Sequence, residues 1–124
     1  MTALPYAPTI LTVIDADVAS YNPTRLQFSY RPSHVNTYSS GDTLYLWIEG
    51  NGTADGSTHT LDWVLTAPNS NSYNATSWTG QQQYGWLVWN YAVSSLKAAG
   101  GAGTWHFIVK KDGVQVFDRT FKVQ

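Results

Sequence analysis

Residues 103–123 read Gly-Thr-Trp-His-Phe-Ile-Val-Lys-Lys-Asp-Gly-Val-Gln-Val-Phe-Asp-Arg-Thr-Phe-Lys-Val, two alternating runs around Asp112-Gly113. Both central residues of a type I′ turn need positive φ, so Asp-Gly between alternating segments predicts a hairpin. Along the first run Trp105, Phe107 and Val109 share one face, with His106, Ile108 and Lys110 on the other. Along the second, Phe117, Phe121 and Val123 point one way and Val116, Asp118, Thr120 and Lys122 the other. Arg119 falls on the apolar side and is expected to reach the rim or an acidic partner. A hairpin of this kind predicts a β-sandwich, and it carries no catalytic motif.

The same period-two reading extends upstream. Thr9 to Ile14 is β-branched and strand-like, and Asp15 to Thr24 reads as a polar connection. Arg25 to Tyr30 alternates, with Leu26 and Phe28 on the apolar side, and Pro32 ends that strand or places it at an edge. After the Ser39-Ser40-Gly41-Asp42 turn, Thr43 to Glu49 puts Leu44, Leu46 and Ile48 inward, leaving Tyr45 and Trp47 outward. Thr58 to Thr66 places Leu61, Trp63 and Leu65 inward. Residues 67–83 are long and polar, which marks either a functional loop or a partly paired strand. Trp86 to Val93 reads as a strand, and Gly100 is placed to end a helical turn. The expectation is an N-terminal arm over 1–8, then one antiparallel β-sandwich over 9–124 with about seven or eight strands, no convincing long helix and no internal repeat. The expected core is Leu26, Phe28, Leu44, Leu46, Ile48, Leu61, Trp63, Leu65, Trp105, Phe107, Val109 and Phe121.

Composition narrows the function classes. At 124 residues the chain can bury a core without staples, and with no cysteine it holds neither a disulfide nor a thiolate metal site. A net charge of -1 and a charged fraction of 12% argue against nucleic acid, which calls for clustered Lys and Arg. No window approaches the apolar length of a membrane-spanning helix, so no membrane insertion is expected. The first eight residues lack the basic and apolar segments of a secretory signal. Six Trp and eight Tyr among Ser, Thr, Asn and Gln exclude disorder over most of the chain. Such neutral, aromatic-rich surfaces are common among extracellular, virion and sugar-binding β proteins, and extracellular or surface-associated placement is expected.

Three stretches carry a family resemblance: Ser-Gly-Asp-Thr-Leu-Tyr-Leu (Ser40 to Leu46), Leu-Asp-Trp-Val-Leu-Thr-Ala-Pro (Leu61 to Pro68), and Ala-Gly-Gly-Ala-Gly-Thr-Trp-His-Phe (Ala99 to Phe107) leading into the hairpin. Over roughly residues 43–123 the chain resembles bacterial immunoglobulin-like and fibronectin type III-like modules. The cysteine pair of antibody domains is missing, which sets that branch aside. The resemblance implies a spacer, adhesion or recognition module whose partner is another protein or a glycan, without catalysis.

The alternative reading is a carbohydrate-binding module or lectin acting through loop aromatics. Residues 67–83 and their border carry Tyr73, Trp78 and Tyr84 beside Gln82, and aromatic faces with amide side chains suit a sugar ring. Either Trp78 and one of these tyrosines form a glycan platform, or Trp78 folds back over the sandwich end. Tyr45 and Trp47, two residues apart on one strand, form a second candidate platform unless something covers that face. Residues Asn51, Thr53, Asp55, Gly56, Ser57, His59 and Asp62 echo a calcium loop, but Asn stands first and Asp twelfth, so a plain hairpin loop is expected. Asp15 and Asp17 read as a solvated acidic turn. His34, His59 and His106 show no metal-type pairing, no nucleophile elbow occurs, and Glu49 is the only glutamate. Neither a metal, a cofactor nor catalysis is expected.

Overall fold

The computed structural model of the chain describes residues 12–21, 32–51, 59–80 and 84–124, with backbone alone at 12, 51, 59, 74–80 and 84–86. Eight strands and one helix follow in order among them: β1 (Thr12–Ala19), β2 (Thr37–Tyr38), β3 (Thr43–Asn51), β4 (His59–Thr66), β5 (Ser72–Gly80), β6 (Tyr84–Ala92), α1 (Val93–Gly100), β7 (Gly103–Lys111) and β8 (Val114–Val123). One sheet has the order β1-β3-β6 and the other β2-β8-β7-β4-β5. The fold class is the all-β sandwich expected from the sequence. The sheets are not wholly antiparallel, because β2 runs parallel to β8. That pairing uses the amides of Lys122 and Gln124, which donate to the carbonyls of Asn36 (2.6 Å) and Tyr38 (3.0 Å).

Alternation explains which side each strand buries. Leu44, Leu46 and Ile48 from β3 meet Leu61, Trp63 and Leu65 from β4, Trp105, Phe107 and Val109 from β7, and Phe121 from β8 in one core. Each of these is at most 3% exposed. Burying an aliphatic or phenyl side chain of this size contributes about 1.5–3 kcal/mol. Leu26 and Phe28, also expected in the core, lie outside the described residues, as do the arm and the strand read at residues 25–30.

An aromatic row crosses the larger sheet. Tyr38 meets Phe121 edge-on (5.7 Å, 85°), Phe121 stacks on Trp105 (6.3 Å, 20°), and Trp105 stacks on Tyr73 (6.2 Å, 28°). Offset and edge-to-face arrangements at these separations are the favourable ones for ring quadrupoles.

The hairpin forms as read: Asp112 has φ 49° and Gly113 φ 83°, the doubly positive pair of a type I′ turn. Asp112 also ties this turn to β4. Its carboxylate accepts from the Thr60 amide (2.9 Å), and its own amide donates to the Thr60 carbonyl (2.8 Å). Arg119 finds an acidic partner in the opposite sheet. Its Nε donates to the Ala16 carbonyl (2.8 Å) and its Nη2 to Asp15 (3.0 Å).

One segment differs from the sequence expectation, and two others settle readings that it left open. Asp15 to Ala19 continues β1 instead of forming a connection, because Ala16 and Val18 bury against the core while Asp15 and Asp17 take the other face. A bulge between Val13 and Asp15 sets that phase. Of the two readings of residues 67–83, Ser72 to Gly80 takes the paired strand, β5, along β4. Past Ala92 the apolar stretch becomes a two-turn helix that buries Val93 and Leu96. Its end requires glycine: a Cβ on Gly100 would lie 2.4 Å from the Ala67 Cβ and 2.6 Å from the Trp105 indole.

Candidate binding site

β6 is an outer strand of its sheet, and its register puts Leu87, Trp89 and Tyr91 opposite Ile48, Leu46 and Leu44. Directly opposed residues share a face, so these three stand on the core side of the sheet. At an edge that side is covered incompletely. Leu87 and Tyr91 pack against the core half-buried, while Trp89 remains 47% exposed. The Trp89 indole N–H donates to the Tyr91 hydroxyl, and burial holds the Tyr91 phenol above the ordinary tyrosine range against that hydrogen bond.

β5 is the outer strand of the other sheet, where Tyr73 lies opposite Leu65. Its ring stacks on Trp105, and its hydroxyl donates to the Ala99 carbonyl on α1 (2.8 Å). Tyr73, Tyr91, Trp105, Leu65 and Leu96, with Ser95 and Ala99, line a cleft of about 250 Å³. None of these described lining residues bears a formal charge at neutral pH. The Trp105 floor is fixed from beneath, where its indole N–H donates to the Gly101 carbonyl (3.0 Å). Such an arrangement can hold a small ring-shaped group by dispersion and hydroxyl hydrogen bonds.

Of the expected loop platform, Tyr73 enters this cleft. Trp78 sits on β5 opposite Leu61 and Tyr84 on β6 opposite Asn51, but their side chains, and Gln82 altogether, lie outside the described residues. The expected outer platform on β3 is not available at Trp47, which is 1% exposed. Trp47 lies on the central strand between Asp17 of β1 and Val88 of β6, and its neighbour on that face, Glu49, is buried too. Tyr45 is half-buried.

The acidic candidates are occupied by protein partners. Asp15 meets Arg119, and Asp17 meets His34 Nδ1 at 2.6 Å. Each of the two carboxylates also accepts the next backbone amide, at 2.8 Å. His106 Nδ1 pairs with Asp118 at 2.8 Å. Asp62 lies within β4 opposite Lys110, and residues 52–58 of the loop that echoes a calcium site lie outside the described residues. Among the described residues no three His, Cys, Asp or Glu side chains are placed to share a metal ion.

Sequence reasoning missed Tyr91, Ser95 and Ala99 as cleft residues. The alternation Leu87, Trp89, Tyr91 was visible, but which strand lies at an edge is a property of sheet order, and no local pattern carries it.

No protein-family model and no curated protein matches the chain. Solved structures do resemble it. An immunoglobulin-like protein from Pseudomonas aeruginosa is 12% identical with a TM-score of 0.53, over 96% of this chain and 100% of that one. The alkylpurine DNA glycosylase AlkC of Pseudomonas fluorescens, bound to DNA containing an abasic site analog, is 10% identical with a TM-score of 0.63 over 92% of this chain. A β-glucosidase from Listeria innocua in complex with isofagomine is 11% identical with a TM-score of 0.59 over 93% of it. The chain spans 30% of the glycosylase and 16% of the glucosidase. At these identities the likeness establishes the fold alone, an all-β sandwich of immunoglobulin-like architecture.

Proposed function

We propose that the chain is a non-catalytic immunoglobulin-like module serving surface attachment, spacing or protein recognition. The observation that carries this reading is modular: the same sandwich matches 30% of one larger protein and 16% of another, while matching 100% of a third. A unit with its own closed core can be joined to other domains without new packing. The polar groups support the same reading. The Arg119–Asp15 contact bridges the sheets, and the two histidines whose side chains are described, His34 and His106, are paired with aspartates. With a net charge of -1 the chain lacks the cationic excess that phosphate binding draws on, so the DNA held by the glycosylase is not carried over.

Two measurements test this. The homogeneous chain, challenged with chromogenic glycosides, esters, phosphate esters and an alkylated DNA duplex, is expected to turn over none. Fused to a fluorescent reporter, it is expected to retain the reporter on at least one member of an immobilised panel of polysaccharides and matrix proteins. Turnover that co-purifies with the chain overturns the proposal.

A further inference from the structure

We infer that β6 is a self-association edge, along which two copies of the chain pair antiparallel about a twofold axis and join their three-stranded sheets into one. This goes beyond the module reading and stands or falls independently of it.

The outer side of an edge strand presents a row of backbone N–H and C=O groups without a neighbouring strand. Folded proteins blunt such edges with bulges, charges, proline or brevity. Among the described residues, three of the four outer strands carry one of these devices. β1 has a bulge between Val13 and Asp15 and bears two aspartates. β2 is two residues long. β5 skips a residue against β4, where Trp63 opposes Thr76 but Val64 opposes Asn74. β6 has none of them. It runs nine residues, Tyr84 to Ala92, without charge or proline, and pairs with β3 residue for residue along that length. At about 3.4 Å per residue this is an edge about 30 Å long. Among the described residues no strand pairs with its outer side. The helix that follows turns into the core, where Val93 and Leu96 are buried.

Charge and symmetry name the occupant. A twofold sets one patch against itself. Because β6 is uncharged, pairing with its own copy creates no like-charge contact. The register that overlaps all nine residues is centred on Val88, so Leu87 of one copy stands opposite Trp89 of the other, twice per dimer. Both residues lie on the core side of the sheet. The contact therefore covers the Trp89 indole, which is 47% exposed, with the half-buried Leu87.

The test is sedimentation equilibrium over a concentration series for the wild type, Trp89→Lys and Ser72→Lys. Both positions are exposed, and far-ultraviolet dichroism checks that each variant is folded. A single-strand edge buries less than the about 1,200–2,000 Å² of a standard interface, so a dissociation constant of about 1–100 μM is expected for the wild type. Trp89→Lys should raise it about a hundredfold, since the twofold removes two contacts of about tenfold each. Ser72→Lys, on the edge strand of the other sheet, should leave it unchanged. Hydrogen exchange of the wild type needs no variant: alternate amides of β6 should gain protection as concentration rises, and those of β5 should not. A single-chain mass at every concentration up to about 1 mM overturns the assignment, and leaves the edge to a strand from a different protein. So does a dimer that Trp89→Lys leaves intact or Ser72→Lys breaks, or concentration-dependent protection that appears outside β6.

Discussion

Single residues show where this sandwich has no slack. Gly100 ends α1 with its Cα pressed against Ala67 and the Trp105 indole. Gly100→Ala forces the indole or the helix end to move. The expected cost is about 1–3 kcal/mol, read as a lower urea midpoint at unchanged slope. Tyr38 presents the opposite case. Its hydroxyl is buried with no hydrogen-bond partner among the described residues, and burial, reinforced by Asp17 and Asp42, raises its pKa above the ordinary value of 10.0. A phenol whose folded pKa exceeds its unfolded one contributes stability that is complete below the unfolded value. That contribution is lost as pH rises toward the folded value. Wild-type stability should therefore fall as pH passes about 10. Tyr38→Phe should be at least as stable as wild type at pH 8, because the buried hydroxyl makes no bond there, and should lose less on moving to pH 11. Urea melts at the two pH values check both statements. The place of Gly100 at a helix end was legible locally, but its close packing and the burial of Tyr38 were not, since both depend on neighbours distant in sequence.

At the scale of elements, the β7–β8 hairpin was the most legible part of the chain. Its turn chemistry and its alternation agree, and agreement between local levels is what specifies an element. Gly113 sits at φ 83° with no atom near enough to obstruct a Cβ, so Gly113→Ala isolates the backbone term. The expected cost is about 1–2 kcal/mol from left-handed strain alone. Hydrogen exchange should show faster opening of β7 and β8, together with the Thr60 amide that Asp112 holds. The strand over Ser72–Gly80 was less legible, because Asn, Ser and Thr favour turns locally. Eight residues of β4 pair along it, and that ladder outweighs the local preference. β1 shows the same override, where Asp15 and Asp17 alternate outward around Ala16.

For the whole molecule, the question is what keeps two sheets in register around one core. Arg119 does this by a direct polar link, reaching from β8 to the carbonyl of Ala16 and the carboxylate of Asp15 in the opposing sheet, with its guanidinium 4.9 Å above the Phe117 ring. Arg119→Met keeps the stem and removes the link. The loss should be about 1–2 kcal/mol, because the group is partly exposed and solvent screens the ion pair. Thermal unfolding should remain a single transition, with far-ultraviolet and tryptophan signals coincident, since both report on one core. Two transitions would mean that the sheets come apart separately.

Alternation of apolar and polar side chains is a local property, so the sequence alone determined that these residues form strands, which faces of β3, β4 and β7 turn inward, and where the closing hairpin bends. Sheet order is a global property, because it depends on which strands find one another across long stretches of chain. Only the tertiary structure decided that Trp47 sits on a central strand and is enclosed, while Trp89, in the same kind of alternating run, stands on an edge strand with its ring in water. The candidate cleft depends on sheet order in the same way, because its lining residues come from two outer strands, a short helix and the strands beside them.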